Sequence, residues 1–274
     1  MTINCKGTLI DLSVPKVMGI LNITPDSFYD GGKYKDESAI LQQTENMLEE
    51  GATFIDVGAY SSRPGAKHIS EQEELQRILP VIELLLKNFP DIILSVDTFR
   101  SKIAKETITA GAAIINDISG GNMDTHMFTT VAELQVPYIL MHMLGTPQNM
   151  QDNPVYENII TETKFYFAEK IDQLHELKVN DIIIDLGFGF GKTIAHNYEL
   201  LKELKLFQSL GKPILAGLSR KSMLYKTLDI SAQEALNATT VANTIALLNG
   251  ANILRVHDVK EAVEAINIVS QLPN

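Results

Sequence analysis

Eight short apolar, β-branched runs, each closed by polar residues or glycine, recur along the 274-residue chain. Helical patterns lie between them, and the repeat covers roughly the 250 residues typical of one (β/α)8 barrel. Together these observations predict an α/β protein, a (β/α)8 TIM barrel formed as a single domain over residues 1–274. An open, doubly wound sheet is the runner-up, because periodicity alone does not show closure. No linker rich in Pro, Gly or Ser divides the chain.

The strands, in order, are "KVMGILN" (16–22), "ATFIDVGA" (52–59), "DIILSVDT" (91–98) and "AAIINDISG" (112–120). "VPYILMHM" (136–143), "DIIIDLG" (181–187), "KPILAGLS" (212–219) and "NILRVHD" (252–258) follow. Runs that are apolar throughout fit strands buried on both faces, as in a parallel sheet. The first helix, "DESAILQQTENMLEEG" (36–51), ends at Gly51, a C-cap glycine. The second, "SEQEELQRILPVIELLLKN" (70–88), opens with Ser70 and Glu73 at capping-box spacing. It places Leu75, Ile78, Leu79, Ile82 and Leu85 on one face, and Pro80 is expected to kink or break it. Longer helical patterns cover 154–177, 196–209, 231–249 and 259–271. The long polar loop after the first strand, with "ITPDSFYDGGKYKD", reads as a lid or binding loop.

Composition narrows the function. A net charge of −11 opposes nucleic-acid backbones, so no nucleic-acid partner is expected. No apolar stretch approaches the ~20 residues of a membrane span, and no basic, apolar leader precedes the first strand. The single cysteine, Cys5, excludes an internal disulfide. A cytoplasmic protein with no membrane partner is the expectation.

Polar residues gather where the strands end, the face on which such barrels carry their sites. They are Asn22, Asp56, Asp97, Asn116, Asp117, His142, Asp185, Ser219, Arg255, His257 and Asp258. Asp56, Asp117 and Asp258 read as helix caps or satisfied core groups. Arg255 and His257 leave one face of their strand and suit an oxyanion, although a structural Arg on a carboxylate fits these residues equally well. "SSRPG" (61–65) and "SRKS" (219–222) add cations and hydroxyls to the same rim, which favours a phosphorylated ligand. Asp97 or Asp185 could accept two parallel donors from an amidine-like heterocycle edge. The competing use is a metal. No zinc-type His or Cys pairing accompanies the carboxylates, whereas Mg²⁺ held mostly by substrate phosphate is compatible with them.

"DLGFGFGKT" (185–193) ends like a phosphate-binding loop but has the wrong spacing. Gly187 and Gly191 enclose three residues where a Walker loop needs four before Gly-Lys-Thr, and the dinucleotide fingerprint fails as well.

These motifs together resemble dihydropteroate synthase. The matching pieces are "GILNITPDSFYDGG", "DVGAYSSRPGA", "SVDT", "INDISGG", "HMLGTPQNMQ", "DLGFGFGKT", "GLSRKS" and "LRVHDV", in family order along nearly the whole chain. The resemblance implies a pterin-binding barrel, a homodimer, and condensation of p-aminobenzoate with 6-hydroxymethyl-7,8-dihydropterin diphosphate. It implies that Asp97, Asn116, Asp185 and Lys221 recognise the pterin, and that Asn22 contacts Mg²⁺. Arg63, Arg255 and His257 become the diphosphate clamp. Ser62, Pro64, Phe190, Lys221 and Ser222 line a p-aminobenzoate pocket that in this family also admits sulfonamides. Asp26, Phe28 and Asp30 belong to the closing first loop, and Asp30, Arg63, Lys221, Arg255 and His257 form the catalytic group. In "DLGFGFGKT" the pterin carboxylate is then Asp185, Phe190 is a pocket wall, and Lys192 has no nucleotide role.

Tyr60 and Ser62 stand where the family commonly has Glu and Thr, Leu186 where it often has Pro. Leu144 and Gln148 replace commoner Gln and Arg. None of these departures removes a named role. A pterin-dependent methyltransferase on the same barrel is the alternative, and a non-catalytic carrier ranks last. The methyltransferase has no use for a diphosphate clamp of Arg63, Arg255 and His257, and Lys221, Phe190 and the long glycine-bearing first loop weigh against simple binding.

Overall fold

The computed structural model describes residues 1–23, 33–61, 68–150 and 152–273, with backbone only for 33–36. A hairpin comes first, β1 (Thr2–Cys5) paired antiparallel with β2 (Thr8–Asp11). Its two-residue turn places Lys6 and Gly7 at φ 54° and 86°, the left-handed pair that suits twisted hairpins. That Lys-Gly step was the available sequence signal for an element the strand pattern misses.

The barrel strands follow: β3 (Lys16–Asn22), β4 (Phe54–Gly58), β5 (Leu94–Asp97), β6 (Ile114–Asp117), β7 (Tyr138–Met141), β8 (Ile182–Asp185), β9 (Ile214–Ala216) and β10 (Ile253–Val256). They close in the order β10-β3-β4-β5-β6-β7-β8-β9 with every neighbouring pair parallel. Closure sets aside the open sheet. The first barrel strand, Lys16–Asn22, fills its run, and the other seven are shorter than theirs because the run's ends turn into loop.

Helices α1 (Lys33–Glu49), α2 (Glu71–Asn88), α3 (Ser101–Ala110), α4 (Met127–Leu134), α5 (Ile159–Glu176), α6 (Ile194–Lys202), α7 (Ser222–Leu228), α8 (Leu236–Leu248) and α9 (Val259–Val269) surround the barrel. Of these, α3, α4 and α7 are short and carried no sequence expectation. The pattern at 196–209 splits into α6 and a 3-10 turn, Leu204–Leu210. In α2, Ser70 accepts the Glu73 N–H at 3.1 Å, while the Glu73 carboxylate turns to Arg77 instead of closing the box. Contrary to expectation, α2 runs unbroken through Pro80. Pro80 and Gln76 are both exposed, so the Gln76 carbonyl that loses its donor faces water.

Strand geometry explains where the polar groups go. Inward-facing positions at the lower level are Met18, Phe54, Ile114, Ile139, Ile183, Leu215 and Ile253, all buried against Ile3, Cys5 and Leu12 of the hairpin segment. The hairpin is tied to the barrel by the Asn4 N–H, which donates to Asp181 at 3.0 Å. Outward-facing residues such as Ile55, Val57, Val96, Ile115 and Ile184 pack on the helices. Two residues further along, the inward phase becomes polar on four of these strands: Asp56, Asn116, Asp185 and Arg255. A dry plug therefore supports a polar rim.

Candidate active site

Register sets the rim. Asn22 lies opposite Gly58, Gly58 opposite Asp97, and Asp97 opposite Asn116, so these positions share one level. A Cβ on Gly58 would come within 3.4 Å of the Asp97 Cβ and 3.7 Å of Asn22 Oδ1. Gly58 thus leaves a notch between a half-buried amide and a carboxylate.

Arg255 is the centre of the polar network. Its Nε donates to Asp56 Oδ2 at 2.6 Å and its Nη2 to Asp97 Oδ2 at 2.9 Å. Asn116 Nδ2 donates to the same Asp56 oxygen at 2.9 Å, while Asp56 Oδ1 is buried without a partner among the described residues. The reading of Asp56 as a plain cap or core group needs correction: it anchors the arginine. The structural alternative for Arg255 holds in part, because two of its nitrogens rest on carboxylates. Its Nη1 donates to no described residue. Burial pushes the Asp97 carboxyl up to about 7, against the pull of Arg255 and with the repulsion of Asp56.

Asp185 stands across the barrel. It accepts the Gly187 N–H at 2.8 Å, and burial raises its pKa against that bond and the Lys221 charge. Lys221 lies over the Phe190 ring, Nζ 4.3 Å from the centroid, and burial followed by Arg255 lowers its amine to about 8. Ser222 opens α7 next to it, half-buried.

The turn "DLGFGFGKT" is built around a lysine that faces inward. Lys192 is 3% exposed, and its Nζ donates to the carbonyls of His142, Gly187 and Phe190 at 3.1, 3.0 and 3.0 Å. Burial pushes its amine down to about 7, while Asp185 and an acceptor for each of three protons favour the charged form. Thr193 caps α6, with its Oγ accepting the His196 N–H at 3.1 Å. Neither residue of the Gly-Lys-Thr ending is free to cradle a phosphate. Gly187 and Gly191 adopt φ 66° and 62°. A Cβ there would strike the His142 carbonyl oxygen in the first case and the Leu144 carbonyl oxygen, 2.6 Å away, in the second.

The remaining strand-end groups are mostly structural. Asp117 accepts from the Tyr138 hydroxyl at 2.7 Å and from the Ser119 and Gly121 N–H groups. His142 is buried against Tyr166, its Nδ1 without a described partner, and burial holds its pKa well below the imidazole range. In "SRKS", Arg220 does not face the rim. Asp258 takes its Nε at 3.0 Å and Nη2 at 2.7 Å, so Asp258 is an ion-pair partner of Arg220, with no side-chain cap. Ser219 contacts His257, which is exposed at the barrel mouth.

A second cluster joins three loops. Gln148 Nε2 donates to the Tyr60 hydroxyl at 3.1 Å, and that hydroxyl lies 3.2 Å from His68 Nδ1. Arg100 reaches His68 Nε2 at 3.4 Å and pairs with buried Glu74, which accepts from Thr98 at 2.7 Å. Both Tyr60 and Gln148 depart from the family pattern, and the structure makes them partners. Their separation of 88 positions concealed this in the sequence.

The structure therefore brings Asn22, Asp97, Asn116, Asp185, Phe190, Lys221, Ser222, Arg255 and His257 to the C-terminal rim. Asp26, Phe28, Asp30, Ser62, Arg63 and Pro64 lie outside the described residues. Among the described residues, no group of three or more His, Cys, Asp or Glu side chains could hold a metal.

Comparison with known proteins gives a consistent result. A family model described as "Pterin binding enzyme" matches residues 18–257. Dihydropteroate synthase of Escherichia coli K12 is 42% identical over 271 residues, covering 98% of this chain and 95% of the relative. Its Haemophilus influenzae counterpart is 41% identical, covering 98% of each chain. Among solved structures, the Yersinia pestis enzyme in a sulfonamide drug complex superposes with TM-score 0.92 at 44% identity, 98% of both chains covered. The Xanthomonas albilineans enzyme with 4-aminobenzoic acid gives TM-score 0.92 at 37% identity, covering 99% of both chains. Fold, rim and relatives agree, and the chain belongs to the pterin binding enzyme family as one of its dihydropteroate synthases.

Proposed function

We propose that residues 1–274 act as one pterin-binding barrel that joins p-aminobenzoate to 6-hydroxymethyl-7,8-dihydropterin diphosphate. The amine nitrogen forms a bond to the exocyclic methylene carbon and loses a proton. The carbon–oxygen bond to diphosphate breaks, and pyrophosphate leaves with the electron pair. The products are 7,8-dihydropteroate and pyrophosphate. The observation that carries the reading is the inward ring of Asp97, Asn116 and Asp185 facing the Lys221–Phe190 wall.

In this reading Asp97, Asn116, Asp185 and Lys221 grip the pterin, with a carboxylate accepting the paired donors of its pyrimidine edge. Phe190, Lys221 and Ser222, with Ser62 and Pro64, receive p-aminobenzoate. Arg63, the Nη1 of Arg255 and His257 hold the diphosphate, and Asp30 joins them in the catalytic group. An aniline nitrogen needs no strong base before attack, so stabilising the leaving charge is the main catalytic task.

Asn22 fits a Mg²⁺ that arrives with its ligand. Its amide oxygen borders the Gly58 notch, and Mg²⁺ in phosphate sites takes only one or two protein oxygens. Bound there, the ion would offset charge growing on the departing diphosphate. Calorimetry is expected to show Mg²⁺ binding with pyrophosphate present, weakened in Asn22→Ala, and none detectable without it.

We also propose a homodimer. Leu228, Val241, Ile245 and Leu248 of α7 and α8 are exposed, beside a groove of about 240 Å³ between α6, α7 and α8. A second copy covering this face accounts for it. Light scattering should give twice the chain mass, and one chain mass for Val241→Asp. A cytoplasmic location is in keeping with the absence, among the described residues, of any helix long and apolar enough to cross a membrane.

The decisive assay is pyrophosphate release with Mg²⁺, pterin diphosphate and p-aminobenzoate. Release should require both substrates. No release with all three present would sink the reading.

A further inference from the structure

Ser219 carries no role in the proposed reaction, yet its hydroxyl is placed against a group that does. It is 5% exposed, and its Oγ lies 2.9 Å from His257 Nδ1 and 3.2 Å from the His257 backbone nitrogen. A backbone N–H can only donate, so Ser219 Oγ accepts there. The oxygen has a second lone pair, but among the described residues Nδ1 is the one acceptor within reach of the hydroxyl proton, so the buried hydroxyl is satisfied by donating to the Nδ1 lone pair. In a neutral imidazole the ring proton must therefore sit on Nε2.

The neighbourhood favours the neutral ring. Arg255 at the end of β10 and Lys221 and Arg220 on the β9 loop present positive charge, and the carboxylate that among the described residues acts on the ring, Asp258, is taken by Arg220. Partial desolvation at the barrel mouth, and next the Arg255 charge, hold His257 below the usual imidazole range although the residue stays exposed. Arg220 also fixes the frame. With φ 54° it turns its guanidinium away from the rim, onto Asp258 and the carbonyls of Ala232 and Gln233. Two consecutive residues after β9, Ser219 and Arg220, thereby grip two consecutive residues after β10, His257 and Asp258.

We infer that Ser219 is a positioning residue that locks His257 in its Nε2–H tautomer, so that the rim presents a neutral donor to an oxyanion. The identity of that oxyanion as the pterin diphosphate rests on the function proposed above. With the opposite tautomer, Nε2 would turn a lone pair toward phosphate oxygen, and the contact would be repulsive.

The test is long-range ¹H–¹⁵N correlation of the full chain with ¹⁵N-labelled histidine at pH 8, with no substrate present. The His257 signals are assigned by their loss in His257→Gln. The wild type should show a protonated Nε2 and an unprotonated, hydrogen-bonded Nδ1. Ser219→Ala should shift Nδ1 and mix the tautomers, and Ser219→Thr, which keeps the hydroxyl, should restore the wild-type pattern. A protonated Nδ1 in the wild type, or an unchanged spectrum in Ser219→Ala, would overturn the inference. Should Ser219→Ala fail to fold, the wild-type and Ser219→Thr spectra decide alone. In turnover, Ser219→Ala should raise KM for pterin diphosphate about tenfold, the worth of one charge-assisted bond, and leave KM for p-aminobenzoate within about twofold. The expected tautomer change with both KM values unmoved would uphold the positioning role and remove His257 from the diphosphate site.

Discussion

Replacing Lys192 with methionine tests whether the Gly-Lys-Thr ending holds a fold or a ligand. The substitution keeps an unbranched side chain one atom shorter and removes three donors from the His142, Gly187 and Phe190 carbonyls. Each carbonyl left without its donor costs about 1–3 kcal/mol. Against this stands the relief of no longer desolvating an ammonium, worth several kcal/mol. Three such carbonyls cost about 3–9 kcal/mol, so with the relief taken off the expected net loss is on the order of 2 kcal/mol. For a chain of this size that is a fall in Tm of about 4–8 °C. The pH dependence has a definite sign. The folded pKa lies near 7 and the reference value is 10.5, so between them the unfolded chain binds the extra proton. The Lys192 contribution is therefore complete above pH 10.5 and is lost as pH falls through about 7, so the wild-type advantage over Lys192→Met should widen from pH 7 upward. Thermal and urea denaturation at pH 6, 7.5 and 9 measure both effects. An unchanged Tm with lost diphosphate binding would show that Lys192 meets the ligand after all, and would refute the reasoning.

Three further substitutions probe the rim. Arg255→Ala should weaken pterin diphosphate binding far more than binding of unphosphorylated pterin, by about tenfold or more, and equal losses in calorimetry would remove Arg255 from the diphosphate site. Asp97→Asn should gain stability over the wild type as pH rises from 4 through about 7, because burial raises the folded carboxyl pKa and its contribution is lost across that window. Parallel stability curves for the two proteins would contradict this. Tyr60→Phe keeps the ring on Phe99 and deletes the hydroxyl shared by Gln148 and His68, for an expected loss of about 1 kcal/mol in urea denaturation. Adding Gln148→Met to it should cost less than the two single changes summed, since both break one bond.

The fold was legible in the sequence wherever burial on both faces produced an unbroken apolar run, which is why all eight barrel strands were found. The short α3, α4 and α7 were not found, because they bury few residues each. The polar rim was legible too, since Asp97, Asn116, Asp185, Arg255 and His257 all close such runs. Their partners were not legible. That Arg255 divides itself between Asp56 and Asp97, 199 and 158 positions away, depends on barrel register. That Arg220 turns away while Lys221 faces the rim depends on a left-handed backbone at Arg220. Adjacent cations in a sequence carry no information about which of them points inward.

The close approach of two backbones at Gly187 and Gly191 bears on how this wall of the barrel moves. With no room for even a Cβ against His142 and Leu144, and with Lys192 pinned across both segments, residues 142–144 and 187–192 form one mechanical unit. Local opening must release both turns together, so their amides should exchange hydrogen at a common rate. A wall that opens only as a whole yields little to the shape of what rests on it.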